Sequence, residues 1–170
     1  MLEIEAIRKS SPQILAIGSY SAIIQSILDF DYLSGKSNPS ILGIIKGNKK
    51  GERFFWGKNE ILVPYFKDLE ETGPIINRRI NYFLNVASAR RALSTTSKSL
   101  DTLTGLIGGT LFAEDTPERH SLALFEKIKN NDAFIIGPSS IGILVPETLK
   151  LGAVGGVSAK QLLSPIFYER

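Results

Sequence analysis

Residues 13–46 read QILAIGSYSAIIQSILDFDYLSGKSNPSILGIIK. The stretch opens on an apolar run at 13–17 that stops at Gly18 and closes on a second run at 41–46. Both runs are short, rich in isoleucine and bounded by turn residues, as expected of strands buried on both faces. Between them Ile23, Ile24, Ile27 and Leu28 recur at helical spacing and give one apolar stripe. Ser21 stands where a hydroxyl would cap that helix. Residues 29–39, with Gly35, Ser37, Asn38 and Pro39, read as its break. Strand, helix and strand at this spacing predict a βαβ unit and therefore parallel strands.

The same alternation continues outward. Residues 1–11 read as a polar lead-in arm. GNKKG at 47–51 reads as a hairpin tip, with strands at 53–56 and 61–66 on either side of Gly57. A polar stretch at 67–79 is expected to hold a short helix that Gly73-Pro74 stops. Strands follow at 82–86, 106–112 and 133–136, and helices at 87–99 and 117–129. Pro117 suits a first helical turn, and Gly137-Pro138 ends the last strand. Beyond Ser140, short apolar pieces among Gly142, Pro146, Gly152, Gly155 and Gly156 predict a loop-rich cover. The class is α/β, with a mostly parallel sheet, flanking helices and a β-hairpin insertion. The expected organisation is one domain over 12–157, with 158–170 opening a following segment that is cut short.

Composition excludes several chemistries. With 43% apolar and 22% charged residues the chain can bury a core, so disorder is not expected. It has no cysteine, which removes disulfides, thiolate metal sites and cysteine nucleophiles. A net charge of +3 is too small to argue for nucleic acid. The start, MLEIEAIRKSS, has no apolar signal core, and no apolar run approaches the ~20 residues of a membrane span. The expectation is a cytoplasmic protein. A single histidine, His120, lies among polar residues and reads as a surface group.

Parallel sheets bind ligands at the carboxyl ends of their strands. The loops at Gly18, Lys46, Ala87, Ala113 and Pro138 are therefore the candidate site. Gly18 lets backbone approach a phosphate at the start of a helix, although the full glycine fingerprint is absent and a plain tight turn explains it equally. Lys46 sits where nicotinamide-binding domains carry an acid; a cation there suits an extra phosphate, and a solvated hairpin suits it as well. Lys49 and Lys50 read as solvated. Arg90 and Arg91 are adjacent on a helix and cannot both face one ligand. Glu114 and Asp115 could act as acid and base, but capping of the next helix is preferred for at least one.

These loops, in this order, resemble the CoA-binding domain of ATP-citrate lyase, within the succinyl-CoA synthetase superfamily. The resemblance runs from 14–18 to about Gly156. Its most specific parts are LDFDY at 28–32 and FFWGKNEILVPYF at 54–66. LNVASARRA at 84–92, FAEDTPE at 112–118, IIGPSSIG at 135–142 and LKLGAVGG at 149–156 follow in register. The resemblance implies a Rossmann-like fold and a role in joining citrate to CoA with ATP, then cleaving citryl-CoA to acetyl-CoA and oxaloacetate. By motif position it implies CoA contacts from Gly18, Ser19, Tyr20 and Ser21, from Val86, Ala87, Ser88 and Arg90, from Ala113 and Glu114, and from Pro138 and Ser139. Lys46 joins them from its place after the second strand. No catalytic and no metal-binding residue is implied here. The resemblance implies phosphohistidine and ATP-grasp modules, in the same or another chain, as partners in an oligomeric enzyme. Two departures stand out. Asp115 replaces a glycine and adds bulk and negative charge, and GSYSAI replaces GMQTRA, so that Tyr20 could stack on a base. The alternative is a stand-alone nucleotide- or CoA-binding regulatory module. A nicotinamide-dependent oxidoreductase fits the broken fingerprint less well.

Overall fold

The computed structural model describes residues 3–47 and 50–154. In chain order the elements are α1 (Ile4–Lys9), β1 (Ile14–Ile17), α2 (Ser21–Leu33), β2 (Ile41–Ile45), β3 (Gly51–Trp56), β4 (Asn59–Phe66) and α3 (Gly73–Arg79). They continue with β5 (Tyr82–Asn85), α4 (Ala89–Thr102), β6 (Gly108–Leu111), α5 (Glu118–Ile128), β7 (Phe134–Ile136), β8 (Gly142–Val145) and β9 (Leu149–Gly152). Seven strands form one sheet in the order β3-β4-β2-β1-β5-β6-β7, and β8 pairs with β9 separately. All neighbours in the large sheet are parallel except β3, which runs antiparallel to β4. The mostly parallel α/β, Rossmann-like architecture and the hairpin insertion expected from the sequence are both present.

Alternation along each strand explains the two cores. Ile14 and Ala16 pack with Ile24, Ile27 and Leu28 of α2 and with Tyr82 and Leu84 of β5. On the other face Leu15 meets Leu69, Ile80 and Leu103, while Ile17 meets Phe83 and Ala87. Successive side chains point to opposite faces, so both faces of β1 and β5 are apolar and buried. Each such aliphatic side chain contributes about 1.5–3 kcal/mol on burial.

Several local expectations are corrected. α2 does not break at 29; LDFDY stays helical to Leu33. It ends where Lys36 N–H donates to Asp31 O and Gly35 N–H to Tyr32 O, with Gly35 at φ 76°. That is a glycine-terminated helix end, set by Gly35 rather than by the aspartates before it. Gly73-Pro74 starts α3 instead of stopping a helix, because proline is tolerated where its N–H has no helical partner. The 47–51 segment is not a hairpin tip: it joins β2 to β3, which are not neighbours, and the tip lies at Gly57-Lys58. After Ser140, Gly142–Val145 and Leu149–Gly152 pair as a β-hairpin, and Leu149 and Leu151 are wholly buried in the core that includes α2, while Gly155 and Gly156 lie outside the described residues. Residues 1–11 include α1, which buries Ile7 completely. Lys49 and the segment from 158 onward lie outside the described residues.

Candidate functional site

From β1 the chain moves to β2 on one side and later returns to β5 on the other. The strand order therefore reverses between β1 and β5, where such sheets form a crevice. Register keeps the strand ends level: Ile17 pairs with Ile45 and Asn85, and Asn85 with Leu111. The loops that follow these strands share one edge of the sheet.

Gly18 holds the centre of that edge. It adopts φ 82°, and a Cβ there would lie 3.3 Å from Ala87 N and from the Val86 carbonyl carbon. Loops one and three thus touch backbone to backbone, which only a residue without a side chain allows without strain. Asn85 fixes loop three. Its Oδ1 accepts from the Ala87 N–H at 3.0 Å, and its Nδ2 donates to Thr95 and Thr96 hydroxyls at 2.9 Å each. The sequence reading passed over Asn85, although an asparagine closing an apolar strand is a visible signal of such anchoring.

A crevice of about 450 Å³ opens here. Among the expected residues it gathers Tyr20, Val86, Ala87, Ala113 and Glu114. Ile23, Phe112 and Ala153 also line it and were not foreseen. Tyr20 precedes α2 and stands 59% exposed at the rim, free to cover a planar ligand. Ser88 precedes α4 and accepts the Arg91 and Ala92 N–H groups through its backbone oxygen. Arg90 is exposed and has no ion-pair partner among the described residues. Pro138 lies apart, in a cavity of about 310 Å³ against α5. The Ser139 N–H donates to Ala113 O at 3.0 Å, tying the fifth loop to the fourth.

The acids do not cap α5. That helix begins at Glu118 after Pro117, with no side-chain cap, and the acid in its first turn is Glu118. Glu114 faces the crevice, whereas Asp115 is exposed and held at φ 53°. Ser21 does not cap α2 either; the cap position belongs to Tyr20. The Ser21 hydroxyl is taken by Glu52, to which Oγ donates at 2.6 Å. Ser19 donates to the same carboxylate at 3.4 Å, and Tyr65 donates to it as well. Lys46 Nζ lies 3.5 Å from the Tyr65 hydroxyl. The Ser21 and Tyr65 bonds, then the Lys46 charge, hold the Glu52 pKa below its ordinary value. Glu52 was missed because β3 runs backwards: its first residues return to the carboxyl edge, which no spacing in the sequence announces. Trp56, at the other end of β3, lies about 13 Å from Glu52 along the strand and is not among the residues that line the crevice.

No family model matches the chain. A probable ATP-citrate synthase subunit 1 from Schizosaccharomyces pombe is 29% identical over 152 residues, covering 88% of this chain and 24% of that protein. ATP-citrate synthase beta chain protein 1 from Oryza sativa is 31% identical over 134 residues, covering 78% of this chain and 22% of that protein. A solved ATP citrate lyase from Methanothrix soehngenii, in complex with citrate and coenzyme A, superposes with a TM-score of 0.78 at 29% identity. It is covered over 84% of this chain and 23% of its own length. Another, from Methanosaeta concilii in complex with (3S)-citryl-CoA, gives the same values. The chain spans about a quarter or less of the length of the relatives it matches. Extended similarity in both sequence and fold makes this chain a relative of the ATP-citrate lyases, matched to one Rossmann-like portion of that enzyme.

Proposed function

We propose that the chain is the CoA-binding part of an ATP-citrate lyase-type enzyme and is not catalytic alone. The carrying observation is the crevice at the strand-order reversal, where Tyr20, Val86, Ala87, Ala113 and Glu114 converge. Relatives aligned over this region include lyases solved with coenzyme A and with citryl-CoA. The residues suit an adenine nucleotide arm. Ala87 and Ala113 leave room for a flat base beside Tyr20. The first turn of α2 offers backbone N–H groups to phosphate, and Lys46 and Arg90 add positive charge at the same edge.

In this reading CoA is a substrate, and the chain's task is to bind and orient it. The chain's one histidine, His120, lies on α5 and does not line the crevice. In this reading a phosphohistidine module and an ATP-grasp module, in the same or another chain, join it in the assembly. There they complete ATP-dependent citryl-CoA formation and cleavage to acetyl-CoA and oxaloacetate. Membership of the succinyl-CoA synthetase superfamily and an oligomeric, cytoplasmic enzyme belong to the same proposal. The absence of cysteine agrees with the compartment, and no described helix is long and apolar enough to cross a membrane.

Calorimetric titration with CoA tests the proposal. Saturable binding that weakens with salt and is lost in a Gly18→Val variant is expected. Tight binding of another nucleotide with CoA ignored would select the stand-alone regulatory module instead.

A further inference from the structure

We propose that Glu52 is an intrachain competitor for the ligand's phosphate, setting how tightly this crevice binds CoA. The inference rests on the CoA-binding reading above and adds a residue that the strand-end argument did not contain.

The Glu52 carboxylate already occupies the polar cradle of the first loop. Oε1 accepts from Ser21 at 2.6 Å and Oε2 from Ser19 at 3.4 Å. Tyr65, itself buried on β4, also donates to Oε2. Ser21 opens α2, a helix of 13 residues, so the carboxylate also lies where a helix start favours negative charge. The two hydroxyls that suit a phosphate at this loop are thus engaged by a side chain of the same protein. The nearest cation, Lys46, is shared too: its Nζ lies 3.5 Å from the Tyr65 hydroxyl and 5.5 Å from the centre of that ring.

A phosphate that takes the Ser19 and Ser21 hydroxyls has to displace this carboxylate. One that binds alongside it meets a like charge at close range. Two like charges about 5 Å apart near a protein surface repel strongly enough to change affinity about ten-fold or more. Removing the Glu52 charge while keeping its shape therefore tightens CoA binding. That outcome is opposite to what a merely structural residue gives.

The test is calorimetric titration of the full chain and of Glu52→Gln and Tyr65→Phe variants with CoA, with thermal unfolding recorded for each. Glu52→Gln is expected to lower the Kd for CoA about ten-fold, and the gain is expected to shrink as salt screens the charge. Tyr65→Phe removes one tether but keeps the charge and both serines, so a smaller gain of about two- to three-fold is expected. If the intact chain binds CoA and neither variant improves on it, this inference is wrong and the CoA-binding reading survives. If none of the three proteins binds CoA, both fall together.

Discussion

Asp31 and Ser40 are bound twice across the turn that follows α2. The wholly buried Asp31 carboxylate accepts the Ser40 N–H at 2.8 Å and the Ser40 hydroxyl at 2.5 Å through Oδ2. Its other oxygen takes Lys36 Nζ at 2.6 Å. One side chain thus fixes where β2 begins relative to α2. Removing it leaves a buried N–H and a half-shielded ammonium without their partner. Asp31→Ala is expected to cost about 3 kcal/mol of stability, read as a shift of the urea midpoint at unchanged slope. Asp31→Asn, which retains an acceptor for Ser40, should cost less.

Gly109 carries a second structural demand. A Cβ there would run into the ring of Phe83, which is wholly buried, and Gly108 stands in the same relation to Phe134. The rings lie over bare backbone, and the sheet around them is close-packed. Gly109→Ala is expected to destabilise by about 1–3 kcal/mol through overpacking. The paired change Gly109→Ala with Phe83→Leu should recover part of the loss, and a thermal-unfolding double-mutant cycle measures the coupling.

These two sites mark how far the sequence could be read. The parallel sheet was legible because 13–17 and 41–46 are continuous apolar runs, and the α2 face because Ile23, Ile24, Ile27 and Leu28 recur at helical spacing. The crevice followed from placing loops at strand ends, which brought in Ala87 and Ala113, while the family resemblance added Tyr20, Val86 and Glu114. What escaped was long-range or permissive. Leu149 and Leu151 belong to a four-residue strand that ends on Gly152, and their core is made with α2, more than a hundred residues earlier, and with β5. Glu52 reaches Ser21 because an edge strand folds back. Asp115 reads as a charge, yet its backbone at φ 53° is what distinguishes it.

Asp115 occupies the left-handed region, where a side chain costs about 1 kcal/mol or more relative to glycine, somewhat less for aspartate. Asp115→Gly is therefore expected to leave stability within about 1 kcal/mol, strain relief being offset by the entropy of a freer unfolded chain. Because it also removes a negative charge beside Glu114, CoA affinity should rise. Chemical denaturation and CoA titration on the same variant separate the two effects.

Glu52 makes the fold sensitive to acid in a predictable direction. Its pKa in the folded chain is lowered by the Ser21 and Tyr65 bonds and by Lys46. The unfolded chain should titrate near the ordinary value of 4.5. The stability this contributes is complete above that value and is lost as pH falls from it through the folded pKa. Glu52→Gln, which cannot titrate, should show a flatter stability profile in that acidic window. Parallel profiles for the two proteins in urea series from neutral to acid pH would contradict the assignment.

Lys150 gives stability the same direction of change with pH, but through a cost that is relieved rather than a gain that is lost. It is buried to 6% exposure in β9, and its Nζ donates to Ser26 on α2. Burial pushes its pKa below the usual 10.5, and the charge of Asp29 opposes that only in part. The folded chain therefore gives up this proton more easily than the unfolded chain does. Between the lowered value and 10.5 the unfolded state holds more protons, so this residue's contribution makes stability rise with pH. Below that window the ammonium is charged in both states, and the folded state bears its desolvation. Lys150→Met keeps the length of the side chain and removes the charge. It is expected to stabilise the protein by about 1 kcal/mol at neutral pH, since a buried charge replaced by an apolar group of similar volume is often stabilising. The gain should fade toward alkaline pH, where the wild-type lysine is neutral as well. Urea unfolding of both proteins at neutral and alkaline pH decides it: a variant less stable at neutral pH would mean that the bond to Ser26 outweighs the cost of burying the charge.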